Sequence, residues 1–220
     1  MVKVLELFSG TGSVGKCCQQ LGWDVVSVDL LLPADHQVDI MDFDYKQYPK
    51  DEFDIVWASP PCTSFSILQG SWIGRHKIVN GERVLFTEEQ RQLDMLEGDK
   101  LVKKTLEIIE YFDCEFWFME NPQSGKLKDR DYMKNIPYYD VDYCKYSDWG
   151  YRKRTRVWTN KKDWNNLLCK KDCGFIINGK HKNNLGNDLL KLNGRRVSES
   201  YNQKQKYRIP ENLIFSLFLD

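Results

Sequence analysis

Cys62 stands in the segment FDIVWASPPCTSFS, and its neighbours decide what its thiol can do. The apolar run from Phe53 to Ala58 reads as a buried strand, and Pro60-Pro61 stops it abruptly. A thiol just past such a stop lies at the mouth of a sheet, where open α/β folds take their ligands. There it can act as a nucleophile. The plain alternative is a small apolar residue in a rigid turn. A second apolar run, Phe116-Trp117-Phe118-Met119, leads into Glu120 and then a turn at Asn121-Pro122. A carboxylate placed there is expected to be buried rather than on a surface turn. Arg154 and Arg156 lie two apart on an expected strand, so they face one side.

A nucleoside-binding pattern precedes these groups. LELFSGTGSVG sets Gly10, Gly12 and Gly15 directly after the first strand and before a helix. Glycines let the backbone take positive φ and approach a ligand closely. Asp29 ends the next strand, where a carboxylate can accept hydrogen bonds from ribose hydroxyls. Asp39-Ile40 follows a third short segment and could meet an adenine edge, with a surface aspartate as the alternative. Glu6 just ahead of the glycines, and the lack of any later nicotinamide signal, argue against NAD.

Strands and helices must position these groups. Val2 to Phe8, Asp24 to Val28, Phe53 to Ala58 and Glu115 to Met119 read as strands. A short helix is expected from Lys16 to Leu21. A longer one opens at the capping box Thr87-Glu88-Glu89-Gln90 and runs to about Phe112, with Gly98-Asp99 as a possible break. Strands alternating with helices imply a parallel sheet covered on both faces. After Pro137 the pattern changes to two strands, Tyr138 to Tyr146 and Thr155 to Thr159, around a turn at Trp149-Gly150.

The chain has 220 residues, room for one core with a small appended module. Its formal net charge is zero, but Arg152 to Arg208 carries 16 Lys/Arg against 4 Asp/Glu, a local excess of 12 positive charges. A basic rear joined to an acidic front suggests a polyanion met by one face, and interleaved Trp158, Trp164, Tyr201 and Tyr207 point to nucleic acid. Seven scattered cysteines do not suggest a disulfide framework, so an intracellular, reducing setting is expected, the cytoplasm or, in a eukaryote, the nucleus. No apolar stretch is long enough to cross a bilayer and no signal-peptide pattern is present. Cys169-x3-Cys173 followed by His181, with Cys144 as a distant fourth, has loose zinc-ligand spacing. The reading favoured by that spacing is structural cysteines and no metal. Cys17 and Cys18 read as core residues of the first helix.

Taken in order, LELFSGTGSVG, PPC at Pro60 to Cys62, ENP at Glu120 to Pro122 and RKRTRVW at Arg152 to Trp158 resemble the DNA (cytosine-5) methyltransferases, in particular short viral and phage members. The resemblance implies an α/β, Rossmann-like seven-stranded sheet with helices on both faces, and S-adenosylmethionine as methyl donor. It implies a cofactor site built from Phe8, Ser9, Gly10, Gly12, Asp29, Leu30, Asp39, Ile40 and Pro60. Cys62 would add to carbon 6 of cytosine, which makes carbon 5 nucleophilic. Glu120 would hold ring nitrogen 3 as charge develops there. Arg154 and Arg156 would hold the base, the Cys62 loop or a phosphate. Pro61, Ser64, Asn121, Pro122, Arg75 and Lys77 are the substrate-binding candidates. A base inside a duplex is out of reach, so the target cytosine must be flipped. Ser64 to Phe86, with three glycines and the cluster Arg75-His76-Lys77, suits a lid over the DNA; an ordinary flexible loop is the alternative.

Residues 1–159 are expected to form the catalytic domain, and 160–220 a small basic region for DNA contact with a closing helix near Arg208 to Leu219. So short a tail implies a short target sequence or little selectivity. Leu185-Gly186-Asn187 only faintly matches the family's late cofactor-pocket motif. The expected partner is double-stranded DNA, with no membrane, and the expected state a monomer. An RNA cytosine methyltransferase and a catalytically inactive DNA-binding homologue stay open as alternatives.

Overall fold

The computed structural model describes residues 1–79, 81–185, 191–192, 195–196 and 201–219. In chain order the elements are β1 (Lys3–Leu7), α1 (Ser13–Gln20), β2 (Asp24–Asp29), β3 (His36–Gln37), β4 (Ile55–Ala58), β5 (His76–Val79) and β6 (Glu82–Leu85). There follow α2 (Glu88–Phe112), β7 (Phe116–Pro122), β8 (Tyr138–Asp142), β9 (Arg154–Thr159), β10 (Ile176–Ile177) and β11 (Lys180–His181). The small pair β12 (Lys191–Leu192) and β13 (Arg195–Arg196), then α3 (Gln203–Tyr207) and α4 (Glu211–Leu219), complete the described chain. No helix among the described residues is long and apolar enough to cross a membrane.

Among these residues seven strands form one sheet in the order β3-β2-β1-β4-β7-β9-β8. The first five are parallel; β9 runs antiparallel to both β7 and β8. The α/β class and the seven strands agree with the sequence expectation, and the antiparallel edge comes from the β8–β9 reversal through the loop at residues 143–153, which includes Trp149-Gly150. Alternation divides the core. Val4, Trp57 and Phe118 pack on one face with Val14, Cys17 and Cys18 of α1 and Leu213, Ile214 and Leu217 of α4. Leu5, Val56 and Met119 face the other way, onto Val102, Ile108, Ile109 and Phe112 of α2. The helix α4 thus packs back against the seven-stranded sheet.

Three local expectations change. Gly15 lies inside α1, which starts at Ser13 because Gly12, at φ 66°, is its left-handed N-cap. A Cβ on Gly15 would stand 3.1 Å from Glu6 Oε2, a tight contact that the Glu6 carboxylate would have to yield to by a few tenths of an ångström. Gly98-Asp99 does not break α2. Gly98 lets the Ser64 and Phe65 side chains press against the helix, and buried Asp99 accepts hydrogen bonds from Arg130 Nε at 2.9 Å and the Tyr132 hydroxyl at 2.6 Å. Asn121-Pro122 is strand rather than turn, because β9 pairs along that edge: Asn121 opposes Arg156 and Pro122 opposes Thr155. Gly186 and Asn187 lie outside the described residues.

Candidate active site

β1 lies between β2 and β4, so successive connections leave it toward opposite sides of the sheet. Ligands bind at such a switch point, beyond the carboxyl ends of the strands. A cavity of about 610 Å³ opens there, lined in part by residues at the carboxyl ends of β1, β2, β4 and β7 and just beyond them. That size suits a cofactor-scale ligand.

The glycine turn is held by its own acid. Asp29 Oδ2 accepts from Gly10 N at 2.8 Å, and Oδ1 accepts from Leu31 N and Leu32 N, each at 2.8 Å. Asp29 therefore braces both loops that wall the cavity, and Gly10 meets it at φ 52°. Phe8, Ser9, Gly10, Asp29, Leu30, Asp39, Ile40 and Pro60 all line this space, whereas Gly12 stands behind them as the helix cap. Asp39 Oδ1 accepts from Met41 N at 2.9 Å. Glu6, which the sequence offered only as an argument against NAD, joins the lining. It is 3% exposed and accepts from Gly15 N at 3.0 Å, and burial pushes its carboxyl up to about 7. Tyr207 and Ile209 also reach the cavity, with Ile209 N donating to Ser13 Oγ at 3.2 Å.

Cys62 and Glu120 face the same cavity. Cys62 is half-buried, and burial followed by the Glu120 carboxylate raises its thiol, while the Lys153 ammonium acts in the opposite direction. Glu120 is 6% exposed; its Oε1 accepts from the Tyr143 hydroxyl at 3.0 Å and lies 3.5 Å from Lys153 Nζ. Lys153 Nζ in turn sits 4.8 Å from the centre of the Tyr143 ring. Sequence reasoning passed over both Lys153 and Tyr143. The alternation in RKRTR puts Lys153 on the opposite side from its arginine neighbours, which was the available signal. Asn121 is buried behind the Pro60–Cys62 loop and donates Nδ2 to the Pro60 carbonyl at 2.8 Å. Cys17 and Cys18 are buried core thiols of α1, and burial pushes both up to about 12.

The two arginines stand apart from the cavity. Arg154 makes a two-pronged pair with Asp142, at 3.0 Å and 2.7 Å, and Arg156 another with Asp140, at 2.7 Å and 2.9 Å. Each acid lies directly across the β8–β9 ladder from its arginine. Arg156 also stacks 3.5 Å over the Tyr138 ring. Pro61 and Pro122 line the cavity; Ser64, Arg75 and Lys77 do not. Ser64 presses on α2 at Gly98. Lys77, on the β5–β6 hairpin, has its Nζ 3.6 Å from Asp94 and 4.5 Å over the Phe86 ring.

Residues 31–147 match the family described as C-5 cytosine-specific DNA methylase. Over 98% of its length the chain is 38% identical to a Frog virus 3 (isolate Goorha) protein named "Probable DNA (cytosine-5)-methyltransferase", 98% of which is covered. Among solved structures it resembles the Entamoeba histolytica methyltransferase EhMeth at TM-score 0.50 and 14% identity, covering 77% of this chain and 56% of that one. The S. pombe Dnmt2 methyltransferase aligns at TM-score 0.44 and 14% identity, over 78% of this chain and 52% of that one. The chain thus spans about half the length of these solved proteins.

Proposed function

The chain belongs to the C-5 cytosine-specific DNA methylase family, and we propose that it methylates carbon 5 of a flipped-out cytosine in duplex DNA through a transient Cys62 adduct. The observation that carries this reading is the convergence of Cys62, Glu120 and Lys153 on the cavity that the glycine turn also walls.

The residues present fit S-adenosylmethionine. Apolar Phe8 and Ile40 can hold the adenine, and the carboxylates of Asp29 and Asp39 can accept from hydroxyl and amino groups. Bound there, the cofactor supplies an electrophilic methyl group on a sulfonium.

Cys62 Sγ, as thiolate, forms a bond to carbon 6 of cytosine, and the ring electron pair moves toward nitrogen 3. Glu120 holds a proton against nitrogen 3 and steadies that charge, with the Tyr143 hydroxyl and Lys153 ammonium fixing its carboxyl. Carbon 5 would then bond to the methyl group as its bond to the sulfonium sulfur breaks, leaving a neutral thioether. Loss of its proton to a base, with the electron pair expelling Cys62, restores the aromatic ring. Asn121 positions the nucleophile by its bond to the Pro60 carbonyl. Arg154 and Arg156, paired with Asp142 and Asp140, lock the β8–β9 hairpin from which Lys153 and Tyr143 reach the site. The β5–β6 hairpin, carrying Arg75 and Lys77, and the basic segment after residue 159 supply the cations for phosphate contact.

The test is methyl transfer from labelled S-adenosylmethionine to mixed-sequence duplex DNA, with RNA in parallel, followed by nuclease digestion. Label in 5-methylcytosine from DNA, lost in Cys62→Ala, supports the reading. Label confined to RNA, or undiminished in Cys62→Ala, overturns the substrate or the nucleophile respectively.

A further inference from the structure

The chain between β9 and α3 has little apolar sequence from which to build a core, yet its described part from Cys169 to His181 is held closely against the catalytic domain. Two antiparallel residues at each end of a turn at Asn178-Gly179 return His181 toward Cys169. Lys171, at φ 68°, turns the loop that joins Cys169 to Cys173, and Gly174 follows Cys173 at φ 81°. Cys144 comes from the turn directly after β8. The ligand atoms of Cys144, Cys169, Cys173 and His181 all lie within 4.8 Å of one another. Cys169 Sγ and His181 Nε2 are 3.4 Å apart. A tetrahedral zinc ion with ordinary Zn–S and Zn–N bonds sets its sulfur and nitrogen ligands about 3.6 Å apart, and pairs of sulfurs slightly more.

We propose that Cys144, Cys169, Cys173 and His181 form a structural zinc site that fastens the basic segment after β9 to the active-site hairpin. The sequence spacing favoured plain cysteines because 25 residues separate Cys144 from Cys169 in the chain; the fold removes that distance. Three thiolates and an imidazole fill a tetrahedron with no open position, which is the composition of a structural rather than a catalytic centre. Cys144 and Cys169 are 3% and 6% exposed, and the other two are half-buried, so the centre is closed on most sides. Lys171 N donates to Cys169 Sγ at 3.3 Å, the kind of outer bond that steadies a metal-bound thiolate.

The site also adjoins the residues assigned to catalysis. Cys169 N donates at 2.8 Å to Asp142 Oδ2, the same oxygen that holds Arg154. Cys144 is the next residue after Tyr143, whose hydroxyl bonds Glu120. Loss of the ion would free the turn end of the β8–β9 hairpin. The inference does not depend on which nucleic acid is the substrate, since it concerns ligand geometry alone.

The experiment is elemental analysis of the full chain purified without chelator, with wild type compared to Cys173→Ser, His181→Ala and Cys114→Ser. About one zinc per chain is expected in wild type and in Cys114→Ser, and a loss of most of it in the other two. Because those variants can fail to fold, the wild-type protein is also stripped and reloaded with cobalt(II). Tetrahedral thiolate coordination gives intense visible absorption, and His181→Cys should keep the ion while shifting that spectrum. Folded wild type that holds no metal and binds neither zinc nor cobalt overturns the proposal. Iron with acid-labile sulfide in place of zinc overturns the assignment of the ion.

Discussion

Replacing Gly98 with alanine sets two effects against each other, and their balance tests how the nucleophile loop is held. In the middle of a long helix alanine should stabilise by about 1 kcal/mol. Yet the added Cβ would stand 2.7 Å from Ser64 Cβ and 3.0 Å and 3.1 Å from the Phe65 ring. Carbon atoms ordinarily settle ~3.5–4.0 Å apart, so about 0.5–1 Å must be found. Phe65 cannot yield easily, being fully buried with its backbone also packed against Gly125. Overpacking of this kind costs ~1–3 kcal/mol, which leaves a net loss of roughly 0–2 kcal/mol and a drop in Tm of no more than about 8 °C. Activity should suffer more. Phe65 N bonds to the Cys62 carbonyl at 3.2 Å, so the displacement passes to the nucleophile within one turn. Misplacing a reacting group by about 1 Å can cost on the order of 100-fold in rate. Single-turnover methyl transfer by Gly98→Ala should therefore fall by roughly 10- to 100-fold with S-adenosylmethionine affinity preserved. Ser64→Gly in the same chain removes the closest contact and should restore part of the rate, as a double-mutant cycle would show. A Gly98→Ala enzyme with wild-type rate and a raised Tm is what helix propensity alone gives, and would refute the reasoning.

The Cys62 thiol is raised by burial and by Glu120 and lowered by Lys153, so its thiolate fraction grows with pH. The rate of adduct formation should climb through the neutral range, and Lys153→Met should move that profile to higher pH; a profile that stays in place removes Lys153 from the site. Glu6 titrates at about 7 in the fold against a usual 4.5. The folded chain then keeps a proton that the unfolded chain has released, so stability falls as pH rises between those values, by up to about 3 kcal/mol. Urea unfolding of Glu6→Gln should show that slope flattened, and an unchanged slope would mean that another group produces it. Asp142 is fully buried and accepts from Arg154 and from Cys169 N. Asp142→Asn leaves the arginine without its charge partner and should cost on the order of 3 kcal/mol, read as a fall of roughly 6–12 °C in Tm.

The groups legible in the sequence are those fixed by strand ends, and the groups missed are those fixed by register. Cys62, Asp29 and Glu120 each follow an apolar run closely, and a parallel sheet carries all such ends to one side, so motif order alone predicts that they meet. Glu120 was placed without its strand being traced correctly, since the ladder to β9 runs on through Pro122. The arginines show the limit. Spacing of two established that Arg154 and Arg156 share a side, but not what waits there. The answer was written in the partner strand, where Asp140-Val141-Asp142 mirrors Arg154-Thr155-Arg156, with each arginine opposite an acid. Only an antiparallel register brings like positions together in that way, and the register depends on how the chain turns at Trp149-Gly150. Once both arginines are committed to aspartates, the cation left to serve Glu120 is the residue that alternation turns the other way, Lys153. Tyr207 and Ile209 were hidden for a different reason. They reach the cavity because α4 packs beside α1, a contact between the two ends of the chain that no local pattern encodes. The same holds for Cys144 and Cys169, whose approach follows from Asp142 holding the Cys169 backbone rather than from any spacing of cysteines. A motif therefore locates a reacting atom when the sheet itself carries it. It fails when a second strand or a returning helix must bring the partner, and here that second set includes the lysine, the tyrosine and the acids that hold the site in place.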